Sequence, residues 1–294
     1  MGRIITWTTT PSPANKPSHE TDSLFFGENV SRYMKFTPTY SARLCLRGTM
    51  PFLVEGKEIM LRAGELLLSN NDLEMECLPA SPDVQAVAVF FSTELLGDVA
   101  SWPFSEHGLL DEPNPETAPL RFFEMLYRQA NPFSGQLQGI ASEMATTLKP
   151  AGSLGKEVFF DLAVCLYSLH RESARKINQV KARTPATRQE LFRRVLAARD
   201  FMHDQCDAPL TLEEVAQSAC LSPYHFHRTF QEVFGTPPMR WLKKRKMEKA
   251  REWLLEGRFN ISEVAYRSGF ADVAGFSKAF KRTWGKCPSA YVVS

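Results

Sequence analysis

The sequence predicts an α+β protein of two domains: a small β-barrel with helices, followed by an all-α domain with two helix-turn-helix motifs. Three observations support this fold class. Short apolar segments separated by turn residues fill positions 40–92, helical periodicity begins at Leu120, and the C-terminal third contains an internal repeat. A chain of 294 residues suits two domains better than one. We place the first domain at 1–170, a linker at 171–187 and the second domain at 188–294.

Composition limits the class of protein. Hydrophobic residues make up 44% of the chain and charged residues 23%, the balance of a globular protein in water. No apolar run is long enough for a membrane-spanning helix, and the N-terminus lacks the apolar core of a secretory signal. The six cysteines are scattered without a CxxC pair, so we interpret them as small core residues in a reducing cytoplasm.

Charge divides unevenly along the chain. Residues 1–170 carry 12 Lys and Arg against 20 Asp and Glu, a net charge of −8. Residues 171–187 carry +4 and residues 188–294 carry +6. This asymmetry predicts that only the C-terminal part meets a polyanion.

The first domain begins with strands and ends with helices. The strand-like segments are RLCLRG, PFLVEG, KEIMLRAG, ELLLSN, LEMECLP and VQAVAVFFS. In the helical part, four apolar residues repeat at 4-3-4 spacing, which predicts a helix–helix seam: Val158, Leu162, Cys165 and Leu169. The seam either covers the barrel or pairs two subunits. The following stretch, 171–187, is polar and basic, shows no apolar period and ends in Thr-Pro-Ala, which is typical of a linker.

The C-terminal repeat relates Leu212–Trp241 to Ile261–Tyr291. Each copy has the pattern of a helix-turn-helix. The matching positions are Val215 with Val264, Phe226 with Phe276, Phe230 with Phe280, Gly235 with Gly285 and Trp241 with Tyr291. Capping boxes are expected at Thr211 with Glu214 and at Asn260 with Glu263, and the second helices are expected to begin after Ser222 and Asp272. The aromatic residues at i, i+4, i+8 spacing are expected to be core.

A basic helix is predicted between the two copies, over Pro237–Gly257. About nineteen of these residues, from a first-turn proline to a stop at Gly257, give roughly 28 Å at the helical rise, comparable to the ~34 Å between successive major grooves. Lys243 and Lys244 lie on this helix, and we expect them to contact phosphates.

The tail from Arg188 resembles the DNA-binding domain of AraC/XylS-type transcription regulators. The motifs that carry the resemblance are Ile261 to Ala265, Gly269 with Phe270, Phe276 to Lys281, and Gly285, Pro288 and Tyr291. The resemblance implies that the second helix of each motif enters a major groove of double-stranded DNA. On the first such helix the expected DNA contacts are Tyr224, His227, Arg228 and Gln231, of which Arg228 suits guanine O6 and N7. On the second they are Val273, Ala274, Ser277 and Lys278, a less polar set that is expected to specify less.

The strand-rich front resembles the cupin barrel that opens many members of this family and binds an effector. Candidate effector-binding residues are Arg43, Arg47, Phe52, Glu74, Glu76 and Phe90. Cupin enzymes hold a metal with clustered histidines, and no histidine occurs between His19 and His107, so we expect no metal, no cofactor and no catalytic residues.

The function predicted from the sequence is therefore a sequence-specific DNA-binding transcription regulator, not an enzyme. Its expected partners are double-stranded DNA, a small-molecule effector, a second copy of the chain and RNA polymerase, with no membrane partner, in a bacterial cytoplasm. Two alternatives remain: a constitutive regulator whose front half only dimerises, and a cupin enzyme with a DNA-binding tail.

Overall fold

The computed structural model describes residues 3–8, 22–29, 33–36, 39–101, 121–123, 125–128, 130–146, 151–153 and 155–292. The chain divides into two compact units, Met1–Ser173 and Ala174–Ser294.

The N-terminal unit contains two β-sheets and three helices among the described residues. The strands are β1 Arg3–Thr8, β2 Ser23–Glu28, β3 Met34–Phe36, β4 Tyr40–Arg47, β5 Thr49–Val54, β6 Lys57–Arg62, β7 Leu66–Ser69, β8 Met75–Cys77, β9 Gln85–Phe91, β10 Leu126–Tyr127 and β11 Ala151–Ser153. The helices are α1 Thr93–Ser101, α2 Pro132–Thr146 and α3 Lys156–Gln179, the last of which continues beyond this unit.

Seven strands form one sheet, in the order β10-β7-β4-β9-β2-β1-β11, and four form the other, in the order β3-β8-β5-β6. The alternation of side chains along β4 explains how the layers stack. Tyr40, Ala42 and Leu44 belong to a core shared with α2 and α3, whereas Cys45 belongs to a core shared with Phe52 of the smaller sheet. The larger sheet thus lies between the helices and the smaller sheet.

The α+β class and the strand-rich front are confirmed, but the closed barrel is not. Both sheets are open, since no pairing among the described strands joins the two ends of either one. Turn signals and alternation predict strands; they do not say which strands pair, and that pairing decides between a barrel and two stacked sheets.

The seam on α3 packs within its own chain. Leu162 and Leu169 are buried in the core that covers the larger sheet, and Val158 and Cys165 pack against it. The alternative in which this seam pairs two subunits is therefore not needed to explain its apolar spacing.

The predicted linker contains more helix than its composition suggested. α3 extends to Gln179, and the next helix begins at Pro185. Ser173, Ile177 and Val180 are buried. Ser173, Ile177 and Val180 follow Leu169 at the spacing of one helix face. This period is hard to see in the sequence because only Ile177 and Val180 of the three are apolar.

The C-terminal unit is helical in its described part. Its helices are α4 Pro185–Asp204, α5 Leu212–Ser218, α6 Pro223–Phe234, α7 Pro238–Leu255, α8 Ile261–Arg267 and α9 Val273–Trp284, followed by a short 3-10 helix at Pro288–Tyr291. α4 contacts α5, α6 and α7, and α7 contacts both α6 and α8. The basic helix predicted between the two copies therefore links the two motifs.

The cysteines are less uniform than predicted. Cys45, Cys77 and Cys206 are buried, but Cys220 and Cys287 are exposed, and all six are free thiols. Burial raises the pKa of the Cys45 thiol to about 12.

Among the helices that the structure describes, none combines the length and the apolar character needed to cross a membrane.

Candidate nucleic-acid interface

The two motifs begin with the caps that the sequence predicts. Glu214 accepts from the backbone N–H of Thr211 at 2.7 Å while the Thr211 hydroxyl accepts from the backbone N–H of Glu214 at 3.2 Å. Asn260 and Glu263 form the same capping box, with 2.8 and 3.0 Å bonds. Such reciprocal bonds satisfy donors that the first helical turn leaves unpaired.

The second helices begin as predicted too. Ser222 accepts from the backbone N–H of His225 at 3.4 Å, and Asp272 accepts from that of Gly275 at 2.6 Å. The turns before them both place one residue at positive φ, 83° for Gly269 and 52° for Cys220. Glycine adopts this conformation without strain and cysteine does not.

The aromatic stripes hold each second helix on its partner. Phe226, Phe230, Phe276 and Phe280 are fully buried. The rings of Phe226 and Phe230 lie 5.5 Å apart, as do those of Phe276 and Phe280. With these rings facing the core, the opposite face of each helix is left to solvent. We call α6 and α9 the recognition helices.

Four predicted contact residues lie together on the outer face of α6. Tyr224 is 78% exposed, Arg228 and Gln231 are exposed, and His227 is half-buried. They line one open concavity, to which two residues not predicted from the sequence contribute: Lys181 and Glu232. The sequence could have indicated Glu232, because a carboxylate four residues after Arg228 is placed to pair with it. Nothing in the sequence pattern indicates Lys181.

Glu232 connects Arg228 to the segment that precedes α4. Arg228 Nε donates to Glu232 Oε1 at 3.1 Å, and the backbone N–H of Lys181 donates to Glu232 Oε2 at 3.1 Å.

The outer face of α9 carries fewer polar groups. Ala274 and Lys278 are exposed, and Ser277 is half-buried. Val273, predicted to face outward, packs partly against the core formed by Phe276, Phe280 and residues of α7 and α8. Of the four residues predicted on each helix, those on α6 thus offer more polar donors and acceptors than those on α9.

The basic run on α7 divides into exposed and structural residues. Lys243 and Lys244 are exposed, as needed for phosphate contact. Arg245 pairs with Glu248 at 3.2 Å and with Glu252 at 3.4 Å. Lys246 donates to the Ala208 carbonyl at 2.9 Å, and burial lowers the pKa of its ammonium group.

The six effector candidates do not form one site. Arg43, Phe52 and Phe90 are buried, and the guanidinium carbon of Arg43 lies 5.7 Å from the ring centre of Phe52 and 5.1 Å from that of Phe90. Arg43 also donates to the Ser41 hydroxyl at 2.7 Å, and burial lowers the pKa of Arg43 to about 10.

The other three candidates lie on the outer surface. Arg47 pairs with Asp83 at 3.4 Å, and Lys35 pairs with Glu74 at 3.4 Å and Glu76 at 3.5 Å. Because β8 buries Met75 and Cys77, alternation turns Glu74 and Glu76 away from the core. No group of three or more His, Cys, Asp or Glu side chains in the described part of the chain could hold a metal ion.

The helix-turn-helix domain family matches residues 215–293, which include most of the first motif and all of the second. The C-terminal unit is an AraC-type helix-turn-helix domain. The AraC-type resemblance read from the C-terminal motifs is thus confirmed for this part of the chain.

Curated relatives match the chain over part of its length. It is 35% identical over 82 residues to the regulatory protein PocR of Salmonella typhimurium, covering 28% of this chain and 27% of that protein. It is 37% identical over 98 residues to the probable thc operon regulatory protein of Rhodococcus erythropolis, covering 32% and 30%. The chain therefore spans less than a third of the length of either relative.

Among solved structures, the C-terminal domain of AraT from Geobacillus stearothermophilus is 34% identical, with 34% of this chain and 88% of that one covered and a TM-score of 0.32.

Proposed function

We propose that this protein is a sequence-specific transcription regulator whose AraC-type domain binds double-stranded DNA. The observation that carries the proposal is the outer face of α6. Tyr224, His227, Arg228 and Gln231 lie side by side there, opposite a fully buried aromatic face. Such groups can donate to or accept from base edges in a major groove, which is wide enough for a helix. RNA polymerase is a further proposed partner, and the bacterial cytoplasm is the proposed location.

The proposal is tested by selecting binding sites from random duplex DNA with the full chain. We expect one site to be enriched and its affinity to fall steeply with salt, since each phosphate contact releases counterions. Equal affinity for selected and random DNA, or no affinity at low salt, would reject it.

Two substitutions compare the recognition helices. Arg228→Ala is expected to relax preference at one or two base pairs in one half of the site, by about 1–3 kcal/mol, because a bidentate contact to guanine is lost. Lys278→Ala is expected to weaken binding to all sequences and to reduce the salt slope by about one, because a phosphate contact is lost. Libraries randomised in each half-site measure both effects, and a larger change of preferred sequence for Lys278→Ala would reverse the ranking.

We also propose that the N-terminal unit binds a small-molecule effector between its two sheets and pairs two copies of the chain. Support for the effector site comes from a cationic side chain buried between two aromatic rings, those of Phe52 and Phe90. A small-molecule site typically combines apolar walls with a few polar groups. The cupin-like barrel itself stays a prediction.

Screening small metabolites against the full chain distinguishes the effector proposal from the constitutive and enzymatic alternatives. A binding effector is expected to raise the melting temperature in a concentration-dependent manner. The shift is expected to disappear in Arg43→Met and to persist in Arg47→Met, since Arg47 is 63% exposed and pairs with Asp83 outside the core. No shift with any compound supports the constitutive alternative, and turnover of the compound supports the enzyme.

A further inference from the structure

Glu232 holds two groups at once. One carboxylate oxygen accepts from Arg228 Nε and the other from the backbone N–H of Lys181, both at 3.1 Å. The Glu232 side chain is only 15% exposed, whereas that of Arg228 is 53% exposed. The largely buried Glu232 carboxylate thus holds the exposed guanidinium of Arg228 through its Nε atom.

Local helix electrostatics do not favour a carboxylate at this position. Glu232 lies in the last turn of α6, where the helix dipole is negative. Its order relative to Arg228, with the acid C-terminal, is the weaker orientation of an i, i+4 pair. A carboxylate beside the recognition face also repels phosphates. The favourable interactions of Glu232 are its bonds to Arg228 Nε and to the Lys181 backbone N–H.

The hydrogen bond from Arg228 Nε to Glu232 orients the arginine side chain and leaves its two terminal nitrogens available. Among the described residues, the two η nitrogens of Arg228 have no hydrogen-bond partner. They form the planar fork that binds guanine O6 and N7 end-on. Holding the side chain in one conformation before binding reduces the entropy lost when that contact forms.

The bond to the Lys181 backbone brings another cation to the same face. The side chain of Lys181 is exposed and lines the concavity formed by Tyr224, His227 and Arg228. A lysine ammonium at the edge of a recognition helix is suited to a phosphate oxygen.

We propose that Arg228, Glu232 and Lys181 act as one recognition unit. Glu232 is a positioning residue that presents Arg228 to a guanine, and Lys181 is an additional phosphate contact. This inference depends on the proposed DNA-binding function. The repeat has no second copy of the unit, because the matching residues on α9 are Lys278 and Arg282.

The test is a double-mutant cycle on the full chain, with affinities measured for the selected site and for a duplex in which that site is scrambled. Glu232→Ala is expected to lower the preference for the selected site about five-fold, because Arg228 is released to contact phosphates. In the Arg228→Ala background, Glu232→Ala is expected to lower the preference no further. Additive losses of preference would overturn the positioning role.

A matched control separates positioning from simple loss of negative charge. Glu190 pairs with Arg194 Nε at 2.8 Å on α4, in the same i, i+4 relation but in the reverse order. Glu190→Ala is expected to leave the preference unchanged while raising affinity for both duplexes. An equal loss of preference in Glu190→Ala and Glu232→Ala would overturn the inference.

Lys181 is tested by the salt dependence. Lys181→Ala is expected to reduce the salt slope by about one on both duplexes. Lys57→Ala, which removes an exposed lysine from β6, is expected to leave the slope unchanged. An unchanged slope for Lys181→Ala would remove Lys181 from the unit.

The outcomes distinguish the two levels of the proposal. A wild-type chain with no preferred DNA site would refute the proposed function itself, whereas a preferred site with additive losses refutes the recognition unit alone. If Glu232→Ala does not fold, the same cycle is run with Glu232→Met. That variant keeps the side-chain length and removes both acceptor oxygens, and an unchanged preference in it counts against the inference.

Discussion

Phe280→Ala is expected to lower the free energy of unfolding of the C-terminal unit by about 3–5 kcal/mol, the usual cost of removing a fully buried ring. The Phe280 ring lies 5.5 Å from that of Phe276 and 5.4 Å from that of Tyr291, so the substitution leaves a cavity between α9 and the 3-10 helix. Urea unfolding followed by the fluorescence of Trp253 and Trp284, which belong to the same core, measures the change.

An exposed aromatic residue in the same motif provides the control for this substitution. Tyr266 on α8 is 62% exposed, and Tyr266→Ala is expected to change stability by no more than about 0.5 kcal/mol. Similar losses in the two variants would contradict the assignment of Phe280 to the core and the orientation of α9 that follows from it.

Leu162→Asp is expected to destabilise the N-terminal unit by more than about 3 kcal/mol. Leu162 is 1% exposed in the core between α3 and the larger sheet, and an aspartate there combines a lost apolar side chain with a buried charge. Urea unfolding reports the loss, and sedimentation reports the mass. If the seam instead paired subunits, the variant would sediment at a lower mass than the wild type while keeping its unfolding midpoint.

Ser168→Asp is the matched control for this variant, because Ser168 is exposed on the same helix. We expect it to change neither the midpoint nor the mass. A strong loss of stability in Ser168→Asp would mean that α3 packs through a different face.

The C-terminal unit was largely predictable because its signals are local. Capping boxes at Thr211 and Asn260 act over three residues, and buried rings such as Phe230 repeat at the helical period. These signals agree with one another, and both copies of the internal repeat carry them. The helix ends, the turn at Gly269 and the outward face of α6 follow from them.

The N-terminal unit was predictable only as strands and helices. The same alternation that marks β4 and β8 as strands fits a closed barrel and two stacked open sheets equally well. Which of Arg43, Glu74 and Glu76 faces the core depends on strand pairing. The structure buries the first and exposes Glu74 beside Lys35.

The site shows the same division. The outward orientation of Tyr224, His227, Arg228 and Gln231 on α6 was predictable from the sequence, since helical periodicity fixes the face opposite Phe226 and Phe230. Only the tertiary structure placed Lys181 beside them. Its backbone N–H reaches Glu232 across a separation of 51 positions, and no local pattern encodes a contact between segments so far apart in the chain.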